Sequence, residues 1–278
     1  MELDVSRGTD IAIVGATGKT GRAVADALDG VAVVRRLSRS APGYPVDLET
    51  GEGLAEAFTG CRGVYFIAPN VHPDEPALLL RALEAAASAG VDHVVYHSVA
   101  WPYSPRMPHH MDKARCEDEL RAFCNEHGMH WTILQPCAYA QNFEAVLDGT
   151  AADLAVPYSL DTTFSFISLD DVAEVAARVL IEGPELHHGA TYELGGPEIL
   201  SVRDVMRLVE AMTGRTVSME SIGVDEWMNL HSTGLGTDAQ QRLSAMFEYY
   251  NDRDFLASGI VTAALLGRSP TPMRALIR

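Results

Sequence analysis

The apolar positions of the first half fall into short runs separated by segments of helix length. Asp10 leads into Ile11-Ala12-Ile13-Val14-Gly15, an unbroken apolar run closed by glycine, which predicts a buried strand. Residues 19–29 predict a helix stopped at Gly30, and the β-branched segment Val31 to Leu37 predicts a second strand. The alternation continues with a short strand at Pro45 to Asp47, a helix over 52–59 and a strand from Val64 to Ala68. An Ala/Leu-rich helix over 74–89 ends at Gly90, and a strand from Asp92 to Ser98 follows. A helix over 109–127 ends at Gly128, and a strand from Trp131 to Gln135 is stopped by Pro136. Strands spaced by helices predict an α/β fold, a parallel sheet covered by helices on both faces.

After Pro136 the rhythm loosens. Phe164 to Ile167 predicts a strand, and Leu169 to Ile181 a helix whose first turn carries Asp170 and Asp171 at its positive end. Thr191 to Leu194 predicts another strand. Ser201 with Asp204 three residues on forms an acidic variant of the capping box at a helix start. Val217 to Ser221 predicts a strand, and the remainder reads as mainly helical. There is no internal repeat and no low-complexity tract, so the C-terminal third is expected to be a lobe packed on the sheet.

Gly15-Ala16-Thr17-Gly18-Lys19-Thr20-Gly21 sits where the first strand hands over to the first helix. Glycines at spacing three allow a tight turn and close approach of a pyrophosphate to the helix amino end. A P-loop is excluded because Gly18-Lys19-Thr20 lacks an upstream glycine at the required spacing. An NAD site places an acid at the end of the second strand, whereas a 2′-phosphate needs cations. Here Val34-Arg35-Arg36-Leu37-Ser38-Arg39-Ser40 carries three arginines and no acid. Alternation keeps all three from pointing one way, and Arg39, just past the strand, is the first choice, with Ser38 and Ser40 as added donors. For Arg35 and Arg36 a solvated strand edge weighs equally. NADP(H) is expected over NAD(H).

The 278 residues carry 21 basic and 38 acidic side chains, a formal charge of −17. That acidity, without a basic tract, argues against nucleic acid or an anionic membrane as partner. No apolar run approaches the roughly 18 residues of a spanning helix. Met1 to Asp10 is polar and acidic, unlike a signal peptide, so a cytoplasmic location is expected. Cys61, Cys116, Cys124 and Cys137 show no C-x-x-C spacing and read as reduced, buried thiols. Within the basic count there are only two lysines, Lys19 and Lys113.

These segments together resemble the NmrA-like members of the atypical short-chain dehydrogenase/reductases. The resemblance runs through Gly15 to Arg22, Val34 to Ser40, Asp47-Leu48 and Val95 to Ser98. It continues through Lys113 with Glu117, Trp131 to Pro136 with Asn142-Phe143, Phe166 to Ala173 and Leu266 to Pro270. It implies a Rossmann-type doubly wound parallel sheet with a smaller C-terminal α+β substrate lobe. Residues 1–150 would form the NAD(P)-binding core. Residues 151–278 would complete the sheet and form the lobe, without being an independent domain.

By the same resemblance Gly15, Thr17, Gly18, Lys19, Thr20 and Gly21 meet the pyrophosphate and adenosine side of the cofactor. Asp47 and Leu48 border the adenine, and Ala68-Pro69-Asn70 follows beneath the cofactor. Lys113 bridges the nicotinamide ribose hydroxyls, a place suited to a compact ammonium, and Pro136 to Tyr139 flank the nicotinamide.

Common short-chain reductases use Tyr-x-x-x-Lys, and here His109 stands four residues before Lys113. Histidine relays protons near neutral pH, and a plain helix start in water weighs as much as catalysis. Ser98 at a strand end is expected to orient a carbonyl. Tyr103, Tyr139 and Tyr158 are alternative donors, and Glu117 is expected to orient Lys113 or cap the helix surface. Adjacent His109-His110 and His187-His188 pairs speak against a metal site, and Gly-x-Ser-x-Gly is absent. Trp101, Pro102, Tyr103 and Pro105, with Met107, Tyr139, Phe143, Trp227 and Met228, would wall an apolar pocket.

The expected activity is NADPH-dependent hydride transfer to a carbonyl, enone or quinone of an apolar, aromatic or polyketide-like small molecule. Lys113, His109 and Ser98 are the candidate catalytic residues. A small-molecule substrate is the expected partner, with a homodimer left open. The alternatives are a non-catalytic NADP(H) sensor and a redox-neutral isomerase, epimerase or dehydratase.

Overall fold

The computed structural model describes residues 10–278; Met1 to Thr9, on which the expectation of a non-secretory start rests, lie outside the described residues. Strand β1 (Asp10–Val14) is fully buried from Ile11 onward, as its apolar run requires. Helix α1 (Lys19–Ala27) turns Thr20, Gly21, Val24 and Ala25 inward, one face of a 3.6-residue period. Then come β2 (Val33–Ser38), β3 (Tyr44–Pro45), α2 (Leu54–Phe58), β4 (Cys61–Phe66), α3 (Glu75–Ser88), β5 (His93–His97), α4 (Pro108–His127) and β6 (His130–Pro136). A 3₁₀ turn at Ala140–Phe143 leads to α5 (Glu144–Leu147), β7 (Asp153–Val156), β8 (Thr163–Phe164), α6 (Leu169–Glu182), α7 (Pro184–His187) and β9 (Ala190–Leu194). The chain continues through β10 (Leu200–Ser201), α8 (Val202–Thr213), β11 (Ser218–Ser221), α9 (Val224–His231), α10 (Thr237–Tyr250) and α11 (Gly259–Leu266).

Among the described residues, seven strands form one sheet in the order β3-β2-β1-β4-β5-β6-β9. Every neighbouring pair from β3 to β6 is parallel. The winding direction reverses between β1 and β4, which makes this the doubly wound, Rossmann-type sheet and locates its switch point. One face of the sheet is sealed by Val64, Phe66, Val94, Tyr96 and Ile133 against Leu78, Leu79, Leu83, Cys116 and Leu120 of α3 and α4. All four cysteines are buried free thiols.

The chain divides into two compact units. The first holds the sheet core: residues up to Ser98, Asp112–Gln135 and Val172–Tyr192. The second gathers Val99–Met111, Pro136–Asp171 and Glu193–Arg278. It contains two small two-stranded sheets, β10 with β8 and β11 with β7. It also holds an aromatic network in which Phe164 packs against Phe166, Tyr158 and Tyr250, and Trp227 against Phe247.

The boundaries differ from expectation in instructive places. β4 starts at Cys61, three residues early, because Gly60 at φ 80° turns the chain directly into the sheet. The strand expected over 164–167 is a two-residue ladder, Thr163–Phe164, antiparallel to Leu200–Ser201. Beyond it the Ile167 N–H bonds the Ala138 carbonyl instead. The short elements β7, α7 and β10 left no readable period in the sequence. The capping box at α8 has both halves, with Ser201 and Asp204 each accepting from the other's backbone N–H. Of the two acids opening α6, only Asp170 is exposed. Asp171 is completely buried and accepts from the Arg268 guanidinium and from the backbone and hydroxyl of Thr271. The helix-dipole role expected of Asp171 therefore gives way to a tertiary bond, which joins two of the segments that carried the family resemblance.

Candidate functional site

The carboxyl ends of β1, β2, β4 and β5 share one edge of the sheet, as parallel strands must, and the first unit's candidate residues lie in the loops that leave it. Gly15 follows β1 at φ 78°, in left-handed backbone. A Cβ on Gly15 would fall 2.7 Å from the Ile67 carbonyl oxygen in the loop after β4, across the switch point. A Cβ on Gly21 would fall 2.3 Å from the Gly15 oxygen, and one on Gly18 3.3 Å from it. Each glycine therefore has its own reason. The first needs the conformation, and the third lets α1 pack directly onto the turn. The second is the N-cap of α1 and brings no side chain over the helix amino end. Arg22 braces the turn through the Thr17 carbonyl at 3.2 Å.

At the end of β2 the three arginines separate. Arg35 pairs with Asp10 at 2.7 Å, donates to the Ala57 and Thr59 carbonyls and lies over the Tyr44 ring. Arg36 pairs with Asp26 and Asp29. Both are bound into the scaffold and neither is a plain solvated edge charge. Arg39 is exposed and has no hydrogen-bond or ion-pair partner among the described residues. Beside it in the chain, Ser38 Oγ is buried with no hydrogen-bond partner among the described residues. A free guanidinium and an unserved hydroxyl at adjacent positions are the donor set an anionic ligand group requires.

The neighbouring loops are held to each other. Asp47 accepts from the Glu49 N–H at 2.7 Å, closing the turn in which Leu48 packs on the core. His72 accepts the Asp74 N–H on Nδ1, so its Nε2 carries the proton toward Glu49 at 2.7 Å. Ala68 is half-buried, Pro69 and Asn70 are exposed, and Val71 is buried at φ 47°. A β-branched residue in left-handed backbone is strained and persists only where its surroundings over-determine it. Trp101, in the second unit, has φ 54°. Its carbonyl bonds His110 Nδ1 and its ring meets the edge of Phe255.

Lys113 is buried on α4. Its ammonium lies 2.7 Å from Glu75 Oε1 and 3.2 Å from the His97 carbonyl. Tyr96 donates its hydroxyl to the same Glu75 oxygen at 2.7 Å. Burial, followed by the Glu75 charge, holds the Tyr96 phenol well above its ordinary pKa. The Cys116 thiol beside it is pushed up to about 12, chiefly by burial. Glu75 and Tyr96 were not singled out from the sequence, where Glu75 reads as an ordinary acid in a helix's first turn. The expectation that Glu117 orients Lys113 is corrected: Glu117 accepts from Ser98 at 2.6 Å, Gln135 at 2.7 Å and Arg121 at 3.1 Å.

That arrangement also bears on Ser98, whose buried hydroxyl is donated to Glu117. His109 stands half-buried in the first turn of α4 within the second unit, its ring edge-on to buried His110. Tyr103 is exposed and Tyr139 half-buried. Tyr158 lies among Phe164, Phe247 and Tyr250, where burial pushes its phenol to about 12. Pro136 closes β6, and Tyr139 caps the 3₁₀ turn, bridging to Ile167.

The fold and this strand-end edge place the molecule in the doubly wound α/β class of the Rossmann type. The chain belongs to the NmrA-like family, whose family model matches residues 8–260. It is 28% identical over 228 residues to the (4-alkanoyl-5-oxo-2,5-dihydrofuran-3-yl)methyl phosphate reductase of Streptomyces griseus, covering 77% of this chain and 78% of the relative. It is 27% identical over 256 residues to the NAD(P)H azoreductase of Xenophilus azovorans, covering 86% of each. Among solved structures, the Citrobacter sp. triphenylmethane reductase complexed with NADP(H) aligns at a TM-score of 0.78 and 21% identity, over 96% of this chain and 98% of that one.

Proposed function

We propose that this protein is an NADPH-dependent oxidoreductase that reduces a carbonyl, enone or quinone of a largely apolar small molecule. The observation that carries the reading is the donor set at the end of β2, with Arg39 unpaired and Ser38 Oγ buried without a partner among the described residues. The cradle left by Gly15, Gly18 and Gly21 accompanies it at the switch point. These features fit a dinucleotide with a 2′-phosphate better than one with a bare ribose, because no acid stands there to accept from a 2′-hydroxyl. The reductase relatives support the reaction class.

NADPH, when bound, supplies the hydride. Gly15, Thr17, Gly18, Lys19, Thr20 and Gly21 hold the pyrophosphate side through backbone N–H groups and the positive end of α1. Arg39 and Ser38 hold the 2′-phosphate, Asp47 and Leu48 border the adenine, and Ala68 and Pro69 form the floor beside it. Lys113 donates to ribose hydroxyls. His109, four residues before Lys113 on α4, is the proposed proton donor in place of the usual phenol. Ser98, whose hydroxyl donates its hydrogen bond to Glu117, orients that carboxylate and is withdrawn from the catalytic set.

One observation favours a second reading, a sensor that binds NADP(H) without turnover: Ser98 is committed to a carboxylate, and no phenol precedes Lys113 at the usual spacing. NADPH absorbance followed against quinones, enones and aromatic ketones separates the two. Turnover preferring NADPH to NADH is expected. Tight binding of oxidised and reduced cofactor with no turnover would establish the sensor, and tighter NADH than NADPH would sink the cofactor assignment.

A further inference from the structure

Glu75 is the first residue of α3, where an acid ordinarily faces water beside the helix amino end. Its side chain is instead 1% exposed, reaching inward to elements far away in sequence. Oε1 accepts from Lys113 on α4 and from Tyr96 on β5, and Oε2 is buried with no hydrogen-bond partner among the described residues. Asp74 takes over the capping of α3 by accepting from the Ala77 N–H, so Glu75 is spared that task. The other carboxylates near Lys113 on its own helix have different partners: Asp112 bonds Arg115, and Glu117 bonds Ser98, Gln135 and Arg121.

We propose that Glu75 is the positioning residue for Lys113, fixing where its ammonium points and leaving one N–H for the bound dinucleotide. The proposal rests on the NADPH-binding reading above. A lysine head has three donors on a flexible four-carbon stem and no planar fork to orient it. Two of the donors are placed, on Glu75 Oε1 and on the His97 carbonyl at 3.2 Å. Tetrahedral geometry then sets the direction of the third. With the Lys113 side chain 8% exposed, that third N–H is the one through which it meets a ligand. Tyr96 stiffens the arrangement by pinning the accepting oxygen from the other side. The same carboxylate balances the buried positive charge, which an uncharged acceptor does not do.

The chain has only two lysines, so protein labelled with ¹⁵Nζ-lysine gives two ammonium signals, assigned with Lys19→Arg. In Glu75→Gln, which keeps the shape and removes the charge, the Lys113 signal is expected to shift and broaden while that of Lys19 stays in place. The Kd for NADPH, read by fluorescence titration, is expected to rise roughly tenfold, the weight of a hydrogen bond to a charged group. The preference for NADPH over NADH is expected to be unchanged, since that choice lies at Arg39. Glu75→Asp, one methylene shorter, restores the charge and part of the binding, and it carries both readouts should the amide variant fail to fold. A Lys113 signal unmoved by loss of the carboxylate, or a moved signal with unchanged NADPH affinity, would overturn the proposal. Wild-type protein that binds neither dinucleotide would overturn the functional reading and this proposal with it. Intact wild-type binding with an indifferent Glu75→Gln overturns this proposal alone.

Discussion

Tyr65 and His97, on adjacent strands of the sheet, share a hydrogen bond of 2.5 Å between the phenolic oxygen and Nδ1, both side chains being buried. Burial first, and the Lys113 charge second, lower the His97 pKa to about 3. His93, two residues earlier on β5, is also lowered to about 3, by burial and then by the charges of His130 and His187. Its Nε2 donates to Thr132 Oγ1, whose own hydrogen goes to the His187 carbonyl.

Both histidines are neutral in the folded protein and take up protons on unfolding once the pH drops below the ordinary histidine value. Stability is therefore full above about pH 6.5 and falls as the pH is lowered from there toward 3. Each histidine steepens the loss by about 1.4 kcal/mol per pH unit. Urea unfolding at pH 7, 6 and 5 should show the decline, and His93→Gln should make it shallower. Equal unfolding free energies at pH 7 and 5 would contradict the assignment.

Gly21→Ala places a methyl group 2.3 Å from the Gly15 oxygen, where only backbone can yield. A stability loss of about 1–3 kcal/mol is expected from this overpacking. NADPH affinity should fall by more than tenfold as the turn opens. Calorimetry with a binding titration reads both.

Arg39→Gln removes the unpaired guanidinium at the end of β2. NADPH should bind about tenfold more weakly, with NADH affinity unchanged and thermal stability within about 0.5 kcal/mol of wild type. Arg35→Gln should do the reverse, since it breaks the pair with Asp10 and two carbonyl bonds. Loss of NADPH selectivity in the Arg35 variant rather than the Arg39 variant would reverse the roles.

Lys113→Met leaves the Glu75 carboxylate buried without its counter-ion. A loss of about 3–5 kcal/mol is expected, so low activity in that variant alone would say little about chemistry. Lys113→Met combined with Glu75→Gln removes both charges and should recover most of the stability without recovering NADPH affinity. Chemical denaturation of the two variants, set beside their NADPH titrations, separates scaffold from site.

Asp171→Ala strips the acceptor from Arg268 and Thr271 and should cost about 3 kcal/mol. Arg268→Ala should cost less, because both Thr271 donors still serve the carboxylate. Melting temperatures in the opposite order would show that the guanidinium, not the threonine, secures the contact.

Much of the sheet was legible because its signals are local. An apolar run closed by Gly15, the Ser201–Asp204 cap and the glycines that follow α3 and α4 depend on neighbours a few residues away. The strand's end set Arg39 apart in the sequence, whereas the ion pairs that hold Arg35 on Asp10 and Arg36 on Asp26 and Asp29 were not legible there. What stayed hidden depends on distance along the chain. Glu75 and Lys113 are 38 residues apart, and Ser98 and Glu117 are 19 apart. A buried carboxylate and an exposed one are written with the same letter. Only packing of α3 and α4 against β5 decides which acid turns inward, and that decision also moved Ser98 from a proposed carbonyl donor to a partner of Glu117.

The first unit is assembled from three separated stretches of chain, the last of them Val172–Tyr192. A fragment ending at residue 150 would keep the glycine turn and Lys113, and would lack α6, α7 and the strand β9 that borders β6. β6 would then become a raw sheet edge with its backbone groups unpaired, and Trp131, whose carbonyl accepts the Gly189 N–H, would stand at that margin. Exposed edges of this kind recruit other chains. Residues 1–150 expressed alone are therefore expected to aggregate. For this sequence, splitting or fusing the chain has to respect the interleaving of its two units.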